Sequence, residues 1–133
     1  MNVEAIHEIE QACFDEPWSL SAINGVLENP DSVCVHENYG FALGIKLQGE
    51  AELYRIAVLL QYRGQGLAYS LLLRFLEKCN CPVFLEVAAR NASAVRLYQK
   101  CGFVEIARRK NYYKNDDAII FKKEIEERPN EHD

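Results

Sequence analysis

The chain has 133 residues, 49% of them hydrophobic, and a net charge of -5. This length and composition suit one domain with a sizeable core and exclude global disorder. The acidic balance argues against a nucleic-acid partner, because no overall field draws phosphates in; it suits an amine or a basic protein, or serves only solubility.

No apolar run reaches the roughly 20 residues of a membrane-spanning helix, so no membrane partner is expected. The start, MNVEAIHEIEQACF, carries acids where a secretory signal has a basic region and an apolar block. Cys13, Cys34, Cys79, Cys81 and Cys101 show no repeated spacing, and His7, His36 and His132 are scattered. The expectation is a cytoplasmic protein with reduced thiols and no metal site.

Along the chain, apolar residues at Val3, Ile6, Ile9, Ala12 and Cys13 predict a helix over residues 3–14, which Pro17 ends. Ser19 is placed to cap a second helix running to about Glu28. After the turn at 29–31, SVCVHE and GFALGIKLQ read as strands joined at ENYG. A turn at Gly49 and Glu50 leads into AELYRIAVLL, a longer strand that is apolar on both faces near its end and so central in the sheet. Leu67, Leu71, Leu72, Phe75, Leu76 and Cys79 form a helical stripe. PVFLEV reads as a short buried strand, and residues 91–103 as a helix whose stripe includes Val95, Tyr98 and Cys101, with Gly102 at its left-handed cap. FVEIARR and AIIFKKEI close the order as antiparallel strands. The predicted domain spans 1–126, and the polar tail 127–133 is expected to be disordered. Strands flanking a helix should be parallel if they are neighbours, which makes the sheet mixed.

The segment LLQYRGQGLAYSLL lies between a strand and a helix start. Gly64 and Gly66 allow backbone conformations that other residues avoid, and the amides of Arg63 to Ala68 can point into one concavity. The helix dipole adds positive potential there, and Arg63 can add a full charge. That describes an anion cradle, or an ordinary turn. It is not a P-loop, since no Lys-Ser or Lys-Thr follows the second glycine. Nor is it a dinucleotide fingerprint, since Tyr69 stands where a third small residue is needed.

RIAVLLQYRGQGLAYSLL resembles the acetyl-CoA motif of the GNAT acetyltransferase superfamily: Arg or Gln, two residues, Gly, one residue, then Gly or Ala. Arg63, Gly66 and Ala68 fit it in one register, and Gln61, Gly64 and Gly66 in another; the first keeps the family's distance from Ile56–Val58. FLEVAARNASAVRLYQKCGF resembles the family's following strand, Asn-containing turn and helix. ARRKNYYKNDDAIIF and FDEPWS are similar to its RimI branch, which acetylates the N-terminal amine of a ribosomal protein. The resemblance implies an α/β fold with a mixed, twisted sheet of about six to seven strands flanked by about four helices. It implies acetyl-CoA as co-substrate and, as partner, a protein N-terminus. A small amine as acceptor, or a catalytically silent CoA-binding module, are the other readings.

Acetyl transfer to an amine needs a base for the ammonium, a donor to the developing oxyanion and a proton for the departing thiolate. By similarity to the family, Glu86 is the base; the residues alone favour a solvated strand position or a local ion pair. Tyr98 is the acid toward sulfur, where an arbitrary tyrosine would be a core aromatic. Asn91 is placed to cap its helix, and the resemblance implies that it also contacts the CoA arm. The resemblance places the backbone of Ile56, Ala57 and Val58 along the pantetheine, with the Val58 amide as oxyanion donor, and Arg63, Gly64, Gln65, Gly66, Leu67, Ala68 and Tyr69 around the pyrophosphate. Trp18 is a wall of the acceptor site or a packing anchor, and Tyr112 and Tyr113 line the acceptor pocket or are strand aromatics. Cys101 has no base beside it in the sequence, so direct transfer is expected over an acetyl-cysteine intermediate.

Overall fold

The computed structural model describes residues 2–125, so the expected tail 127–133 lies outside the described residues. Helix α1 spans Val3–Cys13, and the Asn2 side chain accepts from the Glu4 and Ala5 amides. Helix α2 spans Leu20–Glu28 and is capped as its sequence implied, with Ser19 accepting from the Ala22 amide at 3.0 Å. Strands β1 (Ser32–Glu37), β2 (Gly40–Leu47) and β3 (Glu50–Val58) form an antiparallel meander. A single 3-10 turn, Leu60–Tyr62, leads to α3 (Leu67–Cys79) and β4 (Val83–Ala88). Then come α4 (Ala92–Lys100), β5 (Val104–Tyr113) and β6 (Asp116–Lys123).

The six strands make one sheet in the order β1-β2-β3-β4-β6-β5. Among the described strands, only β3 and β4 are parallel neighbours. The strands on either side of α4 are not neighbours, because β6 lies between β4 and β5. One face of the sheet packs α3 and α4 through a core that includes Leu53, Leu72, Phe75, Val83, Leu85, Tyr98 and Phe121. On the other face Phe41, Leu43 and Ala57 pack with Ile6, Ile9 and Ile23 of α1 and α2. Burying such a side chain contributes about 1.5–3 kcal/mol, so these two stripes carry most of the stabilisation.

Two irregularities shape the centre. The β3–β4 ladder has only two pairs, Ala51↔Val83 and Glu52↔Phe84, whereas β4–β6 runs for six pairs from Val83 to Ala88. Directly after the last β3–β4 pair, β3 bulges: Leu53 faces Gly44 and Arg55 faces Leu43, leaving Tyr54 as the extra residue. Gly44 is required opposite, since a Cβ there would meet the Glu52 carbonyl oxygen at 2.0 Å and Phe75 Cζ at 2.8 Å. The bulge reverses the strand's alternation. Ala51 and Leu53 face the α3 core before it, and Val58 faces that core after it, while Ala57 faces α1. Tyr54 and Arg55 consequently share the α1 face. The bulge bends β3 away from β4, and the two strands part.

Candidate active site

Beyond Glu52 and Phe84 the parted strands open a groove of about 680 Å³ through the sheet. Its lining includes Val87, Ala94, Leu97 and Tyr98 from the α4 side and Cys13, Phe14, Tyr54, Glu86 and Tyr113 from the other face. Glu86 sits between Leu85 and Val87, whose side chains are buried. The strand is therefore not buried on both sides, as its apolar sequence suggested: β4 alternates, and Glu86 is on the open side. The Tyr113 hydroxyl lies 3.3 Å from Glu86 Oε2, and Arg109 Nε lies 3.7 Å from Oε1.

Tyr98 enters from α4. It is 7% exposed, its ring packs edge-on to Phe103 at 5.7 Å between centroids, and it lines the groove. Burial, with a smaller effect of Cys101, pushes its phenol up to about 12. No hydrogen bond holds its hydroxyl to another side chain among the described residues. Asn91, also in the lining, caps α4 by accepting from the Ala94 amide at 3.3 Å. Ile56, Ala57 and Val58 line the groove along the parted edge of β3.

At its far end the groove meets a smaller cavity of about 270 Å³, lined by Arg63, Gly64, Gly66, Leu67, Ala68 and Tyr69. Gly64 and Gly66 both hold left-handed backbone, at φ +81° and +76°. Gly66 is the residue before α3, and among the described residues no side chain caps that helix. The first-turn amides are thus left for a ligand, as an anion site requires. Gln65 is exposed and outside this lining. Arg63 donates from Nε to the Val58 carbonyl at 2.8 Å, so it ties the cradle to β3 as well as bringing charge. Lys100, unremarkable in the sequence, also lines this cavity, with Nζ 4.5 Å from the Tyr69 ring centre.

The aromatic candidates separate. Asn111 has φ +53° and its amide donates to Asp117 Oδ1 at 3.0 Å, and the β5 register slips before Tyr113. Tyr113 consequently lines the groove, while Tyr112 is 54% exposed on the surface. Trp18 is not in the lining; it packs behind Tyr54, with ring centroids 6.1 Å apart. Cys101 is buried and its thiol is pushed up by that burial. Sequence reasoning missed Tyr54, Phe14, Arg109 and the pair of Glu10 and Arg55 beneath the groove mouth. A signal for Glu10 existed, since it falls at helical spacing from Ile6 and Cys13 on the buried stripe.

A parted parallel strand pair beside a helix start without a side-chain cap is an arrangement suited to an extended ligand that carries an anionic group. The profile of the acetyltransferase (GNAT) family matches residues 3–103. The chain belongs to this family and is an acetyl-CoA-dependent acyltransferase. Its relatives narrow the branch to the RimI-like enzymes. The chain is 38% identical over 118 residues to the ribosomal protein bS18-alanine N-acetyltransferase of Haemophilus influenzae, covering 83% of this chain and 80% of that one. It is 33% identical over 131 residues to the protein of the same name from Escherichia coli K12, covering 90% and 88%. The crystal structure of the ribosomal-protein-S18-alanine N-acetyltransferase from Escherichia coli superposes with a TM-score of 0.84 at 30% identity, over 97% of this chain and 91% of that one.

Proposed function

We propose that this protein transfers acetyl from acetyl-CoA directly to the N-terminal α-amine of a protein, with the N-terminal alanine of ribosomal protein bS18 as acceptor, in the cytoplasm. The observation that carries the reading is the groove through the sheet, which has Tyr98 on the α4 side and Glu86 on the other. The relatives' named activity supports the acceptor.

Acetyl-CoA supplies an activated thioester. The amides of Gly64 to Tyr69 take its pyrophosphate, with Arg63 and Lys100 adding charge, and the β3 edge at Ile56–Val58 and Asn91 hold its arm. Glu86 takes a proton from the acceptor ammonium, whose pKa is about 8. Tyr113 and Arg109 hold that carboxylate in place. As the amine nitrogen bonds to the carbonyl carbon, the Val58 amide donates to the oxygen that gains charge. The carbon–sulfur bond then breaks, and the Tyr98 hydroxyl donates to the sulfur. A phenol at about 12 lies well above the ~8.5 of a thiol, so hydrogen bonding more than full proton transfer stabilises the thiolate. Cys101, buried and with its thiol pushed up, does not supply an acyl-accepting thiolate, so one transfer step suffices.

The test is acetyl transfer to a matched panel: peptides with a free N-terminus, the same peptides N-terminally blocked with an internal lysine, and small amines. Product on the α-amine of an alanine-first peptide is expected. Transfer to small amines alone would remove the protein acceptor.

A further inference from the structure

The groove mouth is held by an ion pair that the chemistry above does not use, between a fully buried Glu10 and a half-buried Arg55. Glu10 of α1 is completely buried. Its Oε2 lies 3.0 Å from Arg55 Nη2 and accepts the Trp18 amide N–H at 2.8 Å. Arg55 Nη2 also donates to the Glu16 carbonyl at 3.2 Å. The guanidinium carbon sits 4.2 Å from the Phe14 ring centre and 5.0 Å from that of Trp18. One pair thus gathers Phe14, Glu16 and Trp18, the link between α1 and α2, onto β3.

Fold stability does not explain the pair. Taking the Glu10 carboxylate wholly out of water costs energy that its attraction to a half-buried arginine has to offset, so the pair is weak evidence for stability. Here Glu10 Oε1 and Arg55 Nε are buried with no hydrogen-bond partner among the described residues, a further penalty. Location explains it better. Phe14, Tyr54 and Arg55 line the groove on the same side as Glu86 and Tyr113, and none of them lines the glycine cradle. Glu10 also neutralises Arg55, which would otherwise repel an incoming ammonium.

We propose that Glu10 and Arg55 are positioning residues that set affinity for the acceptor: the pair clamps the 14–18 link, so that its Phe14, backed by Trp18 packed behind Tyr54, forms one wall of the acceptor mouth, and it cancels the arginine's charge there. This rests on the acetyl-transfer reading above.

The experiment replaces both partners with methionine, Glu10→Met with Arg55→Met, which leaves no buried charge unpaired. Trp18 is the only tryptophan, so its acrylamide quenching reports the wall without any acceptor. The expected result is a cooperatively folded variant in which Trp18 is more strongly quenched. Its KM for the acceptor peptide rises about tenfold, while kcat and the KM for acetyl-CoA stay within about twofold. An unchanged acceptor KM, unchanged quenching, or an equal rise in the acetyl-CoA KM overturns the proposal. If the double variant does not fold, Glu10→Gln decides: it keeps the side chain's shape, and the same split in KM is expected. Wild-type enzyme inactive on every peptide would be a failure of the functional reading, distinguished from the clamp's by the quenching result.

Discussion

Burial at Tyr98 fixes which proton the groove can offer. With its phenol pushed up to about 12, mainly by burial, Tyr98 is neutral across the working range and always able to donate. Tyr98→Phe should lower kcat by about 10- to 100-fold with the KM for acetyl-CoA unchanged, as loss of an interaction made only in the transition state requires. A wild-type rate would return Tyr98 to a packing role. The same shift has a stability consequence. An unfolded chain releases the tyrosine proton near 10, while the folded chain holds it to about 12. The unfolded state therefore binds fewer protons in that window, and the contribution, complete below pH 10, is lost as pH rises toward 12. Urea melts at pH 9 and pH 11 should show a smaller drop for Tyr98→Phe than for wild type; equal drops would count against this.

At the scale of elements, the decisive features are the bulge in β3 and the bare start of α3. Gly66 and Gly49 both sit at left-handed φ, +76° and +81°, with open space where a side chain would go. Tryptophan at either therefore carries a similar backbone penalty, about 1–2 kcal/mol. Only Gly66→Trp fills the concavity before α3, so it should abolish acetyl-CoA binding by calorimetry while Gly49→Trp binds as wild type. Equal binding by both would rule out the cradle. The cysteines offer a second check. Cys34, Cys79, Cys81 and Cys101 are buried, and Cys13 is the partly exposed one and lines the groove. A thiol reagent should find one fast cysteine that CoA protects; rapid reaction of several, or no protection, would contradict that placement. The glycine cradle and both helix stripes were legible because they are local patterns of spacing. The bulge was not. It depends on Gly44 and Tyr54 meeting across two strands, and no local period records it. Without it Arg55 would point into the α3 core, so its partnership with Glu10 was equally hidden.

For the whole molecule, the element order and the mixed sheet followed from alternating strand and helix patterns, and the structure places Glu86 and Tyr98 in one groove. The sequence reading went astray where long-range geometry decides. PVFLEV reads as wholly buried, yet Glu86 opens to the groove because α1 and α2 cover the other half of that face. Tyr112 and Tyr113 read alike, and a register slip at Asn111 sends them different ways. The proposed mechanism thus divides the labour: the α3 start and β3 edge would hold the donor, and the β4–β5 side would meet the acceptor. The measurement that tests this division most directly is the Glu86→Gln variant, assayed for kcat and for acetyl-CoA affinity across pH. Turnover should fall by about 10²–10⁴-fold at neutral pH and recover partly above pH ~8, where the amine loses its own proton, with acetyl-CoA affinity unchanged. Turnover equal to wild type at neutral pH would contradict the account.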